Sequence, residues 1–196
     1  MDKRFIGFAA LASSSLAHGH ALGTDPSLIE RLEAGALLPT ELSVIWSLWL
    51  VFALFAVQNL KHVGYLFAGF AVGLCVVVVF PVIAFDFTRA LMIPLLMLAL
   101  WMTWGRAMPA RLAGLLMVVL AIMAASTLFA THPELASDRL IRWVALIFTL
   151  AGASFLGGVM KQLSLWFPSQ TPVGVRILSS WMVALVAIQL ATLFAV

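Results

Sequence analysis

Apolar residues run along this chain in long unbroken stretches, with neither the alternation of a half-buried strand nor the single stripe of a soluble helix. Six such stretches lie at about 42–58, 62–85, 87–104, 112–131, 140–160 and 177–195. Each approaches or exceeds the ~20 residues that carry an α-helix across a bilayer. A helix apolar on every side has no face to offer water, so residues 42–196 predict an all-α membrane protein, a bundle of about six transmembrane helices. The second and third stretches are separated only by Asp86-Phe87-Thr88-Arg89, and each holds a proline, Pro81 and Pro94, where kinks are expected. The short connections imply three successive hairpins.

The first 41 residues read differently. Asp2, Lys3 and Arg4 precede an apolar stretch too short to span, which ends in Ser15-Leu16-Ala17. This is the pattern of a cleavable secretory signal over residues 1–17. Cleavage after Ala17 makes His18 the mature N-terminus, whereas cleavage after Ala21 removes both His18 and His20. Residues 18–41 then form a polar segment on the outer side. Within it Asp25, as a cap, and Pro26, at the first helical position, predict a short helix. Leu28, Ile29 and Leu32 share one face of that helix and would lie on the membrane surface. Pro39-Thr40 is expected to restart the chain into the first span.

Charge gives the bundle a direction. Of 196 residues, 64% are hydrophobic and only 10% charged, against about a quarter charged in soluble domains. The net charge of +3 comes from basic residues scattered singly, so no nucleic-acid partner is expected. With the mature N-terminus outside, the inside connections carry Lys61, Arg106, Arg111, Lys161 and Arg176 and no acidic residue. Outside segments carry Asp25, Glu30, Glu33, Glu41, Asp86, Glu134 and Asp138 alongside four arginines. Positive charge collects on the cytoplasmic side, so the pattern places the chain in a bacterial-type inner membrane with a periplasmic N-terminus. Trp46, Trp49 and Trp143 fall near outer span ends, and Trp101, Trp104 and Trp166 near inner ones, where indoles meet the interface.

Small residues four apart mark helix faces that admit close neighbours: Gly69/Gly73, Ala153/Gly157 and Ser154/Gly158. The partners expected are the lipid bilayer and, through such faces, other membrane subunits. Cys75 has no second cysteine to pair with and reads as a small packing residue. Met92, Met97 and Met102 recur every five residues, rotate around the helix and form no thioether stripe.

The span interiors hold essentially no ionisable residue, which counts against proton pumps and retinal proteins. His62 and His132 fall at opposite depths and cannot share a haem, and no nucleotide is expected either. No nucleophile–base pair or paired carboxylate lies at one depth, so the chain does not read as an enzyme. The sharpest constellation is His18-Gly19-His20. A free amine, intervening amide nitrogens and an imidazole close a square-planar nitrogen site suited to Cu2+ or Ni2+, or the amine and first imidazole chelate together. His132 faces the same compartment and is a candidate further ligand, although a lone loop histidine is usually just solvated. Asp86 is a candidate ion-entry carboxylate, weighed against a simple ion pair with Arg89.

A signal, a histidine-bearing start (Leu16-Ala17-His18-Gly19-His20) and about six short-looped spans together resemble the HupE/UreJ family of nickel permease-like accessory proteins. The first span, Leu42-Ser-Val-Ile-Trp-Ser-Leu-Trp-Leu, does not carry that family's histidine-proline and aspartate-histidine motif, so the resemblance implies a metal site only at the N-terminal histidines. The sequence therefore leads to a small permease or accessory protein for a divalent transition metal, nickel or copper. The alternative is a non-catalytic structural or assembly subunit of a larger membrane complex.

Overall fold

The computed structural model describes residues 26–80 and 86–195, and among them there is no strand. The helices are α1 (Leu28–Glu41), α2 (Ser43–Gln58), α3 (Val63–Val79), α4 (Thr88–Thr103), α5 (Ala110–Thr131), a single turn α6 (Pro133–Ala136), α7 (Arg139–Trp166) and α8 (Thr171–Ala195). By length and apolarity, α3 with its leading turn, α5, α7 and α8 suffice to cross a membrane. A fifth span is added if α1 and α2, bent by 73° where they meet, are counted as one. At 16 residues, α4 is a shorter apolar helix, about 24 Å long against a hydrocarbon core of about 30 Å.

Local chemistry explains where the helices start and stop. Ser27, not Asp25 or Pro26, caps α1: its hydroxyl accepts from Glu30 N–H at 3.3 Å while Glu30 Oε2 accepts from Ser27 N–H at 2.7 Å. This reciprocal capping box satisfies two orphan donors at once, which a proline start cannot do. Pro39 does not restart the chain; it lies inside α1, and the break falls at Leu42 in extended conformation. Trp46 Nε1–H donates to Thr40 O at 2.9 Å, so a carbonyl left over at the end of α1 finds its partner in α2. A Cβ on Gly105, in left-handed conformation between α4 and α5, would press on the Arg176 guanidinium.

The core is built around α2. Val44, Ile45, Leu48, Val51, Phe52 and Phe55 are among its buried side chains, and little of the helix meets the surface. A helix apolar all round is stable only when neighbours cover every side, and α2 packs on α1, α3, α4, α7 and α8. The tightest pairs are not sequence neighbours. They are α3 with α5, α4 with α8 and α2 with α7, with α1 laid along α7. The expected hairpins are thus not the main packing units: α2 meets α3 chiefly through Phe52 against Phe67 and Phe70, and α7 and α8 barely touch.

Small residues decide the α3–α5 contact. A Cβ on Gly69 would strike Gly114 O, and one on Gly73 would lie 2.5 Å from Val118 O. Gly157 faces Phe67 and Phe52, while Gly158 and Ser154 look outward. Cys75 is exposed and is not the packing residue expected; of the three methionines, Met92 and Met102 are buried in the bundle and Met97 is 63% exposed. Trp49 is not interfacial; it is buried, donates to Thr149 O at 2.9 Å and packs against Gly152.

Candidate metal-binding end of the bundle

Contacts between connections sort the bundle into two ends. At one, Gln58 Nε2–H donates to Arg106 O, Met108 N–H donates to Asn59 Oδ1, and Arg176 donates to Trp104 O. At the other, His132 meets Glu41, Arg31 meets Asp138, and the Arg89 guanidinium lies 5.6 Å from the Phe194 ring centre. The alternation read from charge is thus reproduced in space. Lys61, Arg106, Arg111, Lys161 and Arg176 belong to helix ends at the Arg106 end, and Glu41, Asp86, Glu134 and Asp138 to those at the His132 end.

His132 terminates α5 because it precedes Pro133, whose ring drives the preceding residue out of helical conformation; its φ and ψ are −134° and 66°. Pro133 then opens α6 at the position where a missing N–H costs nothing. The half-buried imidazole is held between two carboxylates. Nε2 is 3.6 Å from Glu41 Oε2, and Nδ1 is 3.6 Å from Glu134 Oε1. The two ring nitrogens aim away from each other, so one ion cannot take both carboxylates through this histidine. Among the described residues no three histidine, cysteine or acidic side chains converge as a metal site. The end offers at most a nitrogen–oxygen pair, His132 with Glu41 or His132 with Glu134, and further donors would have to come from elsewhere.

His18 and His20 lie outside the described residues. Asp86 is not brought to His132 in any contact. It accepts from Thr88 N–H at 2.8 Å and from the Thr88 hydroxyl, so it opens α4. The ion pair expected with Arg89 is absent among the described residues, because Arg89 turns instead to Phe194.

The strongest ionic contact at this end was not anticipated. Arg31 on α1 reaches Asp138, which caps α7 by accepting from Leu140 and Ile141 N–H. Burial pushes the Asp138 carboxyl up, but the Leu140 N–H, the Arg31 side chain and the Ile141 N–H together outweigh it and hold the group below 3.8. The available signal was Asp138 directly before a long apolar helix, the position of an N-cap.

Among the described residues the buried polar side chains are uncharged: Ser47, Asn59, Ser126, Thr127, Thr149, Ser164 and Ser179. Ser47 donates to Gln189 Oε1 at 2.9 Å, joining α2 to α8. Ser126, Thr127 and Ser179 hydroxyls have no hydrogen-bond partner.

No known protein family matches the chain, and no curated protein or solved structure matches it.

Proposed function

We propose that the chain is a small multi-pass membrane protein handling a divalent transition metal, nickel or copper, with capture at the His132 end. The observation that carries this reading is the half-buried His132 imidazole set 3.6 Å from the Glu41 carboxylate. That pair sits where α1 delivers the chain from the N-terminal segment to the bundle. A neutral imidazole with a carboxylate is a borderline nitrogen–oxygen donor pair, and nickel and copper stand highest among divalent ions for such sites. His18 and His20 are the proposed partners that complete the ligand set, as the HupE/UreJ resemblance also implies. Asp86, an N-terminal group of α4, is the proposed second carboxylate at the same end.

In this reading α2, largely covered by its neighbours, and α4, packed along α8, are also spans, which gives six. The Arg106 end, with five basic residues and no acidic one at its helix ends, faces the cytoplasm of a bacterial-type inner membrane. A signal peptide over residues 1–17 delivers the N-terminus to the other side. The deciding experiment is the metal content of the purified full-length protein after nickel or copper loading, beside His132→Ala and the double His18→Ala/His20→Ala variant. Binding of about one ion per chain, weakened by both changes, is expected. Wild type with no metal above buffer level would overturn the reading.

A second reading has its own support. Among the described residues the helices bury no charged side chain and α2 is largely covered, which suits a non-catalytic structural or assembly subunit. Under that reading a membrane partner co-purifies in fixed ratio, and metal loading changes nothing.

A further inference from the structure

The helices α7 and α8 are consecutive and joined by a turn of only four residues, yet they straddle α2 instead of packing on each other. The wedge between them at the Arg106 end is an apolar groove of about 230 Å³. Its floor is Val57 of α2; one wall is Met160, Leu163 and Phe167, and the other is Gly174 and Leu178. Nothing lies within 4 Å of a Cβ built on Gly174, so this wall is uncovered. A second cavity of about 380 Å³ adjoins the groove and shares Val57, Thr171 and Val175 with it. That cavity is polar at its rim, lined by Gln58, Gly105 and Arg176. Arg176 is exposed, and its hydrogen bond goes to a neutral group, Trp104 O. The Gln58 Oε1 atom is buried with no partner. The nearest charged company along the chain ends here is basic: Lys61, Arg106, Arg111 and Lys161, with no acidic residue at this end among the described residues.

We infer that this wedge is a binding site for one anionic phospholipid, whose acyl chain lies between α7 and α8 and whose phosphate meets Arg176. An apolar slot open along the helices and ending in an uncompensated guanidinium has the two-part chemistry of an amphiphile with a negative head. An arginine at the membrane surface recognises a phosphate through charge and several donors together. A free anion would use the rim without the slot, and a neutral lipid the slot without the rim. The assignment is independent of metal handling, because it concerns the opposite end of the bundle.

The test is native mass spectrometry of the purified full-length chain, offered phosphatidylglycerol or phosphatidylcholine with identical acyl chains. Wild type should retain phosphatidylglycerol about five-fold better, the factor one surface arginine supplies. Arg176→Gln should erase that preference and leave the weaker, head-independent retention. A Cβ at position 174 meets nothing within 4 Å, so Gly174→Phe has room to lay its ring in the slot; it should fold normally and lose both lipids. Equal retention of the two lipids by wild type, or an undiminished preference in Arg176→Gln, would overturn the site. Displacement of phosphatidylglycerol by millimolar inorganic phosphate would do the same by assigning the rim to a free anion. A lipid-free dimer broken by Gly174→Phe would assign the groove to a second copy and overturn it as well.

Discussion

Two nitrogens of the Arg31 guanidinium, Nε and an Nη, approach the same oxygen of Asp138, Oδ2, each at 2.6 Å. The other oxygen, Oδ1, accepts from the first N–H groups of α7, Leu140 at 2.8 Å and Ile141 at 3.4 Å. One carboxylate therefore does two jobs: it ends the unpaired donors of a 28-residue helix and fastens α1 across it. The two jobs differ in energy. An N-cap contributes about 1 kcal/mol and up to about 2, whereas a partly exposed ion pair contributes about 0–1 kcal/mol. Asp138→Ala should thus lower stability by about 1–2 kcal/mol and Arg31→Gln by distinctly less, with Asp138→Asn between them because asparagine still caps. Thermal melts in one detergent check the order. An Arg31→Gln variant as damaged as Asp138→Ala would show that the tether, not the cap, dominates.

The same carboxylate sets a pH dependence. Its folded pKa lies below the ordinary 3.8, so its contribution is fully present above that value and is lost as pH falls through the folded pKa. Between pH 7 and pH 5 the difference in melting temperature between wild type and Asp138→Asn should stay constant. It should shrink below about pH 4. A difference that already closes at pH 6 would point to another titrating group.

Gly73 and Cys75 are two residues apart on α3 and face opposite fates. A Cβ on Gly73 would sit 2.5 Å from Val118 O and 2.7 Å from the Ala121 Cβ, and neither can withdraw without separating α3 from α5. Gly73→Leu should destabilise by at least about 2 kcal/mol, the scale of core overpacking. Cys75→Leu, on the exposed face, should be near neutral. Gly158→Ala, with nothing within 4 Å, serves as the tolerated glycine change. Equal melting temperatures for Gly73→Leu and Cys75→Leu would contradict the contact.

The apolar runs located the helices, because a stretch apolar on every face admits few other structures, though α7 runs on to Trp166 instead of 160 and α8 begins at Thr171 instead of 177. Ser43–Gln58 and Thr88–Thr103 nearly coincide with the expected 42–58 and 87–104. What the runs could not convey was partnership. In water, an apolar stripe shows which face of a helix is covered, but here every face is apolar and that marker is missing. The G-x-x-x-G of α3 announced a close contact without naming α5, and the tryptophan count near the start of α2 could not tell Trp46, 46% exposed, from Trp49, 5% exposed. At the candidate site, His132 was legible as a histidine between α5 and the next span. Glu134, two positions on, was legible with it; Glu41 was not, because it lies 91 positions away and comes close across the 73° bend between α1 and α2.

The two-ended distribution of charge makes topology directly testable. Reporter fusions in the Arg106–Arg111 connection and in the His132–Asp138 connection should report opposite sides of the membrane, the first cytoplasmic and the second periplasmic. Both reporting one side would mean that α5, 22 residues long, does not cross. The reversed assignment would leave the helix packing intact but put the basic end outside, against the charge rule.

The proposed capture site predicts a graded response in cells. Replacing His18 and His20 together with alanine removes two imidazoles from the proposed ligand set, and loss of ligands or of the groups orienting them commonly costs ten-fold or more in metal affinity, about 10–100-fold. Nickel or copper accumulation, or the activity of a dependent enzyme, should then fall several-fold while the amount of protein in the membrane stays constant. His132→Ala should produce a smaller loss, since it removes one donor and leaves Glu41 in place. Asp86→Asn should matter least, because its contacts with the Thr88 N–H and hydroxyl tie it to the start of α4 and asparagine preserves both. If Asp86 instead passes the ion inward, its loss should equal that of the double-histidine variant with no change in melting temperature. Unaltered metal handling in the double-histidine variant, with the protein present at wild-type level, would remove the capture site. The outward Ser154/Gly158 face of α7 would then be the one by which a structural subunit holds other membrane helices in place.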